Sequence, residues 1–222
     1  MLNKKSNLWY VEKLIDAILY AVLIWVLIFF VTFGSAIVYD VSMQPTLNAI
    51  SGATDNDLVY YNKLAHVDVG DIVVVQADEN TMIIKRVIAL AGDRVRYQYS
   101  EDDGIYQLYI NNQLKIEDYT KKDITRADLV AHTNSVFYED PTDVSGYNPM
   151  ASLKIGQMDN FDDDGNYVVP DGQIFVMGDN RLMSVDSKTH GGYETNKIVG
   201  VVDLIIHHDQ NPSWEVIKYL FS

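Results

Sequence analysis

The chain has 222 residues and no cysteine. Neither a disulfide framework nor a thiolate metal site can therefore exist. Positive charge is scarce, with 17 Lys and Arg against 31 Asp and Glu and a net charge of −14. That balance argues against nucleic acid as a partner. The five histidines share no metal-ligand spacing, and none has a nearby Asp of an ordinary triad, so most read as surface residues, with a Ser-His pairing as the alternative. No metal and no other cofactor is expected. Internal repeats are lacking, and helical patterning is poor beyond the N-terminal region. Hydrophobic residues nevertheless make up 48% of the chain, which excludes a largely disordered protein. The length suits one substantial domain carrying an insertion.

Long apolar runs are confined to the N-terminal region. Residues 17–39 hold 23 positions without a charged side chain. As a helix this run would be about 34 Å long, against a hydrocarbon core of about 30 Å. A cleavable leader would be shorter and end at a small-x-small site, whereas Ala36 is followed by Ile37, Val38 and Tyr39. The run is expected to be a transmembrane helix. Ahead of it, Lys4, Lys5 and Lys13 outnumber Glu12 and Asp16, giving a tip of +1 and a remainder of −15. This asymmetry favours a cytoplasmic N-terminus, residues 1–16, and an extracytoplasmic body.

Beyond the anchor the pattern is β. Leu58–Tyr61, Ile72–Val75, Thr81–Leu90, Arg94–Tyr99, Gly104–Ile110, Ile174–Met177 and Ile198–Ile206 are β-branched or aromatic runs. Asp103-Gly104 and Asn111-Asn112 supply turns. Residues 121–166 are polar and irregular. Mainly β structure is expected: an antiparallel sheet body over 40–222, with 97–170 as an inserted smaller lobe, preceded by one transmembrane helix. Residues 160–165 with Asp171 faintly resemble a calcium loop. Its first residue is Asn, its last is Asp and no helices flank it, so it reads as a solvated acidic loop.

Ser42 lies directly after the apolar run, in Tyr39-Asp40-Val41-Ser42-Met43-Gln44-Pro45-Thr46. A single hydroxyl ahead of a Met-x-Pro-Thr turn suggests a nucleophile held at the bilayer surface. Its candidate base is Lys85. Strand alternation puts Ile83, Lys85, Val87 and Ala89 on one face, so the lysine would be desolvated and its pKa lowered. A neutral lysine is a competent general base. The competing reading is a lysine that snorkels to water from a sheet edge.

Four ordered segments carry a resemblance. They are Ser42-Met43-Gln44-Pro45-Thr46, Gly70-Asp71-Ile72-Val73-Val74, Lys85-Arg86-Val87-Ile88-Ala89-Leu90-Ala91-Gly92-Asp93, and Gly178 to Lys188, which reads Gly-Asp-Asn-Arg-Leu-Met-Ser-Val-Asp-Ser-Lys. Together with the anchor they resemble the motifs of bacterial type I signal peptidases, especially Gram-positive members. The resemblance implies a Ser/Lys dyad that removes signal peptides from exported preproteins through an acyl-enzyme. Ser42 would be the nucleophile and Lys85 the base. Ser184 would orient Lys85, and Asp186 would pair with Arg86 or Lys188. Asp179, Asn180 and Arg181 would shape the loop that delivers Ser184. The implied partners are signal peptides with small-x-small cleavage sites, emerging from the export translocon, and the lipid bilayer. Met43 and Ile84 are candidates for shallow substrate pockets, or for ordinary core.

Three positions depart from the family pattern: Asp40 stands where Ser, Thr or Gly is usual, Ala91 for proline, and Lys188 for arginine. An ionised Asp40 facing the oxyanion would repel it. Either the Ser42 backbone N–H serves alone or Asp40 points away. A non-catalytic relative that binds extended segments during pilus or surface-protein assembly is the alternative function. A self-cleaving repressor-type Ser/Lys protein fits less well, given the anchor and the lack of a DNA-binding region.

Overall fold

The protein is described by a computed structural model over residues 4–48, 56–121, 123–125, 160–208 and 212–220. Helix α1 spans Lys4–Thr32. It begins earlier and ends earlier than the expected run of 17–39. The charged residues near its start are compatible with an extended helix. Its end is set by strand β1, Phe33–Ile37, which leaves the helix to pair with β2, Leu58–Asn62. Gly34 permits this, because a Cβ there would strike the buried Tyr61 ring. Lys63 closes the helix end, its backbone N–H donating to Thr32 O and its Nζ to Phe30 O.

Among the described residues, this one helix is long and apolar enough to cross a membrane, over Trp9–Thr32. Leu19, Tyr20 and Phe30 are each more than half exposed, so most of its apolar surface is left uncovered by the body. A soluble core helix would be buried. Helix α1 is thus a candidate transmembrane span.

The body is mainly β, as expected, and every strand pair is antiparallel. To β1 and β2 are added β3 (Ile72–Gln76), β4 (Met82–Leu90), β10 (Gln173–Met177), β11 (Tyr193–Glu194) and β12 (Ile198–Ile206). Their order is β1-β2-β12-β3-β4-β10-β11. A second sheet orders β7 (Gln113–Leu114), β6 (Ile105–Ile110), β5 (Arg94–Ser100) and β9 (Tyr167–Val168), with β8 (Ile124–Thr125) on β6. Gly104 at φ 69° turns β5 into β6, and Asn111 and Asn112 at φ 52° and 66° turn β6 into β7. Of the expected lobe over 97–170, residue 122 and residues 126–159 lie outside the described residues.

Between the sheets, Ile88 and Ala89 of β4 pack with Val95, Tyr97, Tyr167 and Phe175. Val73, Val75, Val87 and Val176 form a cluster on the other side of the main sheet. Ala89 therefore does not share the face of Ile83 and Val87, as strict alternation predicts. A bulge opposite Phe175 and Val176 inserts Ile88 into β4, and the alternation flips beyond it. Lys85 lies before the bulge, so its place between Ile83 and Val87 is unaffected.

Asp162 accepts from the Asn166 backbone and side chain and from the Asp164 N–H, and pairs with Arg94 of β5 at 3.0 Å. The acidic loop is thus a closed turn pinned to β5. The C-terminal helix spans Pro212–Leu220. Its Tyr219 hydroxyl donates to Asp203 of β12 at 3.1 Å, which ties the helix to the body. The Trp214 side chain and Phe221 lie outside the described residues.

Candidate active site

The turn after β1 carries Ser42, and the middle of β4 carries Lys85. Although 43 positions separate them, Lys85 Nζ lies 2.8 Å from Ser42 Oγ, and both residues are buried. Lys85 is only 2% exposed, which rules out the snorkelling alternative. Nζ also donates to Ile84 O at 3.0 Å. Burial pushes the Lys85 pKa below the usual lysine value and the charge of Lys188 acts the same way, while Asp186, Asp40 and Asp179 pull against it without overcoming it.

Two buried ion pairs frame the dyad. Arg86, next to Lys85, binds Asp179 through Nε at 2.9 Å and Nη2 at 2.7 Å. Asp179 also accepts from the Thr46 hydroxyl in the Ser42 turn. Asp186 pairs with Lys188, whose Nζ lies 2.7 Å from both carboxylate oxygens. Of the two partners expected for Asp186, the structure selects Lys188, because Arg86 is committed to Asp179. Burial alone would raise the Asp186 carboxyl, but the Lys188 charge and the hydrogen bonds the carboxylate accepts, that from the Gly178 N–H among them, together hold the pKa below the usual range. Asp186 Oδ2 further accepts from the Gly178 N–H at 2.9 Å.

The loop from Gly178 to Ser184 is joined directly to the nucleophile. Asn180 donates from its backbone to Ser42 O at 2.9 Å and from its side chain to Val41 O at 3.1 Å. Gly178 is needed where these chains meet, since a Cβ there would collide with both Ser42 O and Ser184 Oγ. The bond from Ser184 to Lys85 that the family resemblance implies is not formed. Ser184 Oγ is buried and makes no bond to Lys85, whose Nζ instead meets Ser42 Oγ and Ile84 O.

Asp40 is exposed, and its Oδ1 accepts from the Val41 N–H at 2.6 Å. Among the described residues no group accepts from the Ser42 backbone N–H. Met43 is fully buried in a cluster with Val38, Leu47, Val59 and Ile72, and half-buried Ile84 packs on that cluster. Met43 and Ile84 are thus brought together, with Met43 serving as core.

One part of the site was not anticipated. Buried Asp57 accepts from the Asn48 N–H at 2.7 Å, faces His207 Nδ1 at 3.0 Å and accepts from the His208 N–H at 3.0 Å. Asn48 Nδ2 in turn donates to Val38 O and Asp40 O. This staple ties both ends of the Ser42 turn to the end of β12. Burial would raise the Asp57 pKa, but the bonds from Asn48 and His207 hold it low. His207 and His208 therefore do more than decorate the surface. Histidine adjacency in the sequence carries no sign of an aspartate 150 positions away.

The sequence profile described as signal peptidase, peptidase S26, matches residues 11–207. The chain belongs to that family. Signal peptidase I from Bacillus caldolyticus is 32% identical over 176 residues, covering 77% of this chain and 78% of its own. Signal peptidase I V from Bacillus subtilis is 32% identical over 166 residues, 73% of this chain and 79% of its own. Signal peptidase IB from Staphylococcus aureus is 29% identical over 163 residues, 72% of this chain and 71% of its own. The peptidase is accordingly a membrane-anchored hydrolase of the type I signal peptidase class.

Proposed function

We propose that the peptidase removes N-terminal signal peptides from exported preproteins by a Ser42/Lys85 dyad. The observation that carries this reading is the 2.8 Å approach of Nζ to Oγ in a buried setting. Neutral Lys85 takes the Ser42 proton as Oγ bonds to the scissile carbonyl carbon. The proton passes to the leaving amine as the peptide bond breaks, leaving an acyl-enzyme. Water, deprotonated by Lys85, then attacks the ester and restores the Ser42 hydroxyl. The free Ser42 N–H is the proposed oxyanion donor. Ser184, whose hydroxyl is buried beside Gly178 where the loop meets the Ser42 turn, is assigned to orient Lys85.

The substrate is proposed to lie extended along β4. Met82–Lys85 pair with β3 on one side, whereas β10 pairs with β4 only from Arg86 onward. The other edge of Met82–Lys85 meets no strand among the described residues, which suits strand addition by a peptide. Ile84, over Met43, would line a shallow pocket that admits only small residues. With residues 1–16 cytoplasmic and 40–222 extracytoplasmic, the dyad would meet preproteins as they leave the translocon at the membrane. Residues 97–170 would then form a lobe appended to the catalytic body.

Full-length peptidase in detergent should cleave a preprotein after a small-x-small sequence, and Ser42→Ala should leave no detectable cleavage. If wild type were as inert as a folded Ser42→Ala variant, the non-catalytic binding reading would replace this one. Because Asp40 is turned to the Val41 N–H, Asp40→Ser is expected to maintain or raise kcat. A fall of more than about tenfold would mean that the carboxylate holds the turn in a way that serine cannot reproduce.

A further inference from the structure

Residues 115–121 follow β7 in the smaller sheet, yet they reach the catalytic loop. Glu117 forms a buried bidentate pair with Arg181, Oε2 to Nη1 at 2.5 Å and Oε1 to Nη2 at 2.6 Å. Arg181 also donates to Tyr97 OH at 2.8 Å and to Gly178 O at 3.1 Å. Two residues on, the Tyr119 hydroxyl donates to Glu117 at 2.6 Å, and the Arg86 guanidinium sits 4.1 Å from the centre of the Tyr119 ring. Two further on, the Lys121 N–H donates to Asp179 O at 3.1 Å and its Nζ to Gln44 Oε1 at 2.7 Å. Residues 117, 119 and 120 are half-buried while 118 and 121 are exposed, and the bend over 118–121 turns one side of the segment to the catalytic loop.

We infer that residues 117–121 are a positioning strap for the dyad, with Glu117 as its main anchor. The strap grips Arg181, Asp179, Arg86 and Gln44. Each of these is one step from the reacting pair. Asn180, between Asp179 and Arg181, holds the Ser42 and Val41 carbonyls; Arg86 adjoins Lys85; Gln44 is two residues from Ser42. A segment of the smaller sheet thus completes the site it borders. Glu117 touches neither reacting group and acts through the loop. Displacing such a loop by about 1 Å can cost on the order of 10²-fold in rate.

The inference rests on the peptidase reading, and one assay with wild type and Ser42→Ala as references separates the two. Glu117→Gln should lower kcat by about 10- to 100-fold and leave KM within about threefold. Its effect should overlap with that of Asn180→Ala, the double variant being far less impaired than the product of the single losses, because both act through the same loop. Glu117→Leu with Arg181→Met removes both buried charges together and keeps the fold testable if Glu117→Gln does not accumulate. That double variant should unfold at a temperature close to wild type and still show the kcat loss. Wild-type kcat in a folded Glu117 variant, or fully multiplicative losses with Asn180→Ala, would overturn the strap while leaving the dyad standing. A wild type no faster than Ser42→Ala would instead overturn the peptidase reading itself.

Discussion

Lys85→Met is expected to abolish cleavage and, at neutral pH, to make the protein more stable. The loss of activity should be on the order of 10³-fold or more, since no other described side chain contacts Ser42 Oγ as a base. The gain in stability follows from burial. Lys85 is almost wholly removed from water, and its pKa is depressed by desolvation first and by Lys188 second. The unfolded chain therefore holds its Lys85 proton to higher pH than the folded one. Between the depressed folded pKa and the ordinary lysine value near 10.4, the unfolded state binds more protons, so wild-type stability rises with pH. Lys85→Met lacks that rise. Its stability advantage should be largest below the folded pKa and should narrow as the solution becomes alkaline. The same depressed pKa governs rate: the base must be neutral, so kcat/KM should climb with pH and level off below the value of a free lysine. Thermal unfolding of both proteins across pH, with cleavage rates alongside, tests both halves. Unchanged stability in the variant at every pH would contradict a desolvated, pKa-shifted Lys85.

Ser42 and Lys85 were legible in the sequence because each sits in a short segment with its own pattern. One follows the apolar run; the other interrupts an apolar strand. The β character of the body was legible for the same reason, since β-branched runs and Asn or Gly turns are local signals. Features that depend on long-range geometry were not. Nothing near Glu117 announces Arg181, 64 positions away, and nothing near His207 announces Asp57. Glu117 falls within the smaller lobe expected over 97–170, yet its side chain meets the catalytic loop. The choice between Arg86 and Lys188 as partner of Asp186 was also out of reach, because it depends on Arg86 already being held by Asp179. The helix ends at Thr32 rather than at residue 39 for a different reason. Hydropathy continues through Phe33–Ile37, and an apolar strand edge paired with β2 looks the same as a helix by that measure alone.

Asp186→Ala should have the largest effect on stability of any single substitution around the dyad, about 3–5 kcal/mol. Asp186 is fully buried, and its removal leaves the nearly buried Lys188 ammonium without its carboxylate partner. It also strips the acceptor from the Gly178 N–H and from the Lys188 N–H, which Asp186 caps at the start of the short helix Ser187–His190. Breaking one side of such a pair costs more than removing both, because the cost is mainly that of the stranded charge. Asp186→Leu combined with Lys188→Met should therefore recover much of the lost stability. Activity should not return with it. The Gly178 N–H would still lack its acceptor at the point where Gly178 passes between Ser42 O and Ser184 Oγ, and that contact admits no slack. Chemical denaturation of the single and double variants, read beside their cleavage rates, separates the two roles. Recovery of stability with a persistent loss of kcat is the expected pattern. Recovery of both would mean that Asp186 serves the fold alone.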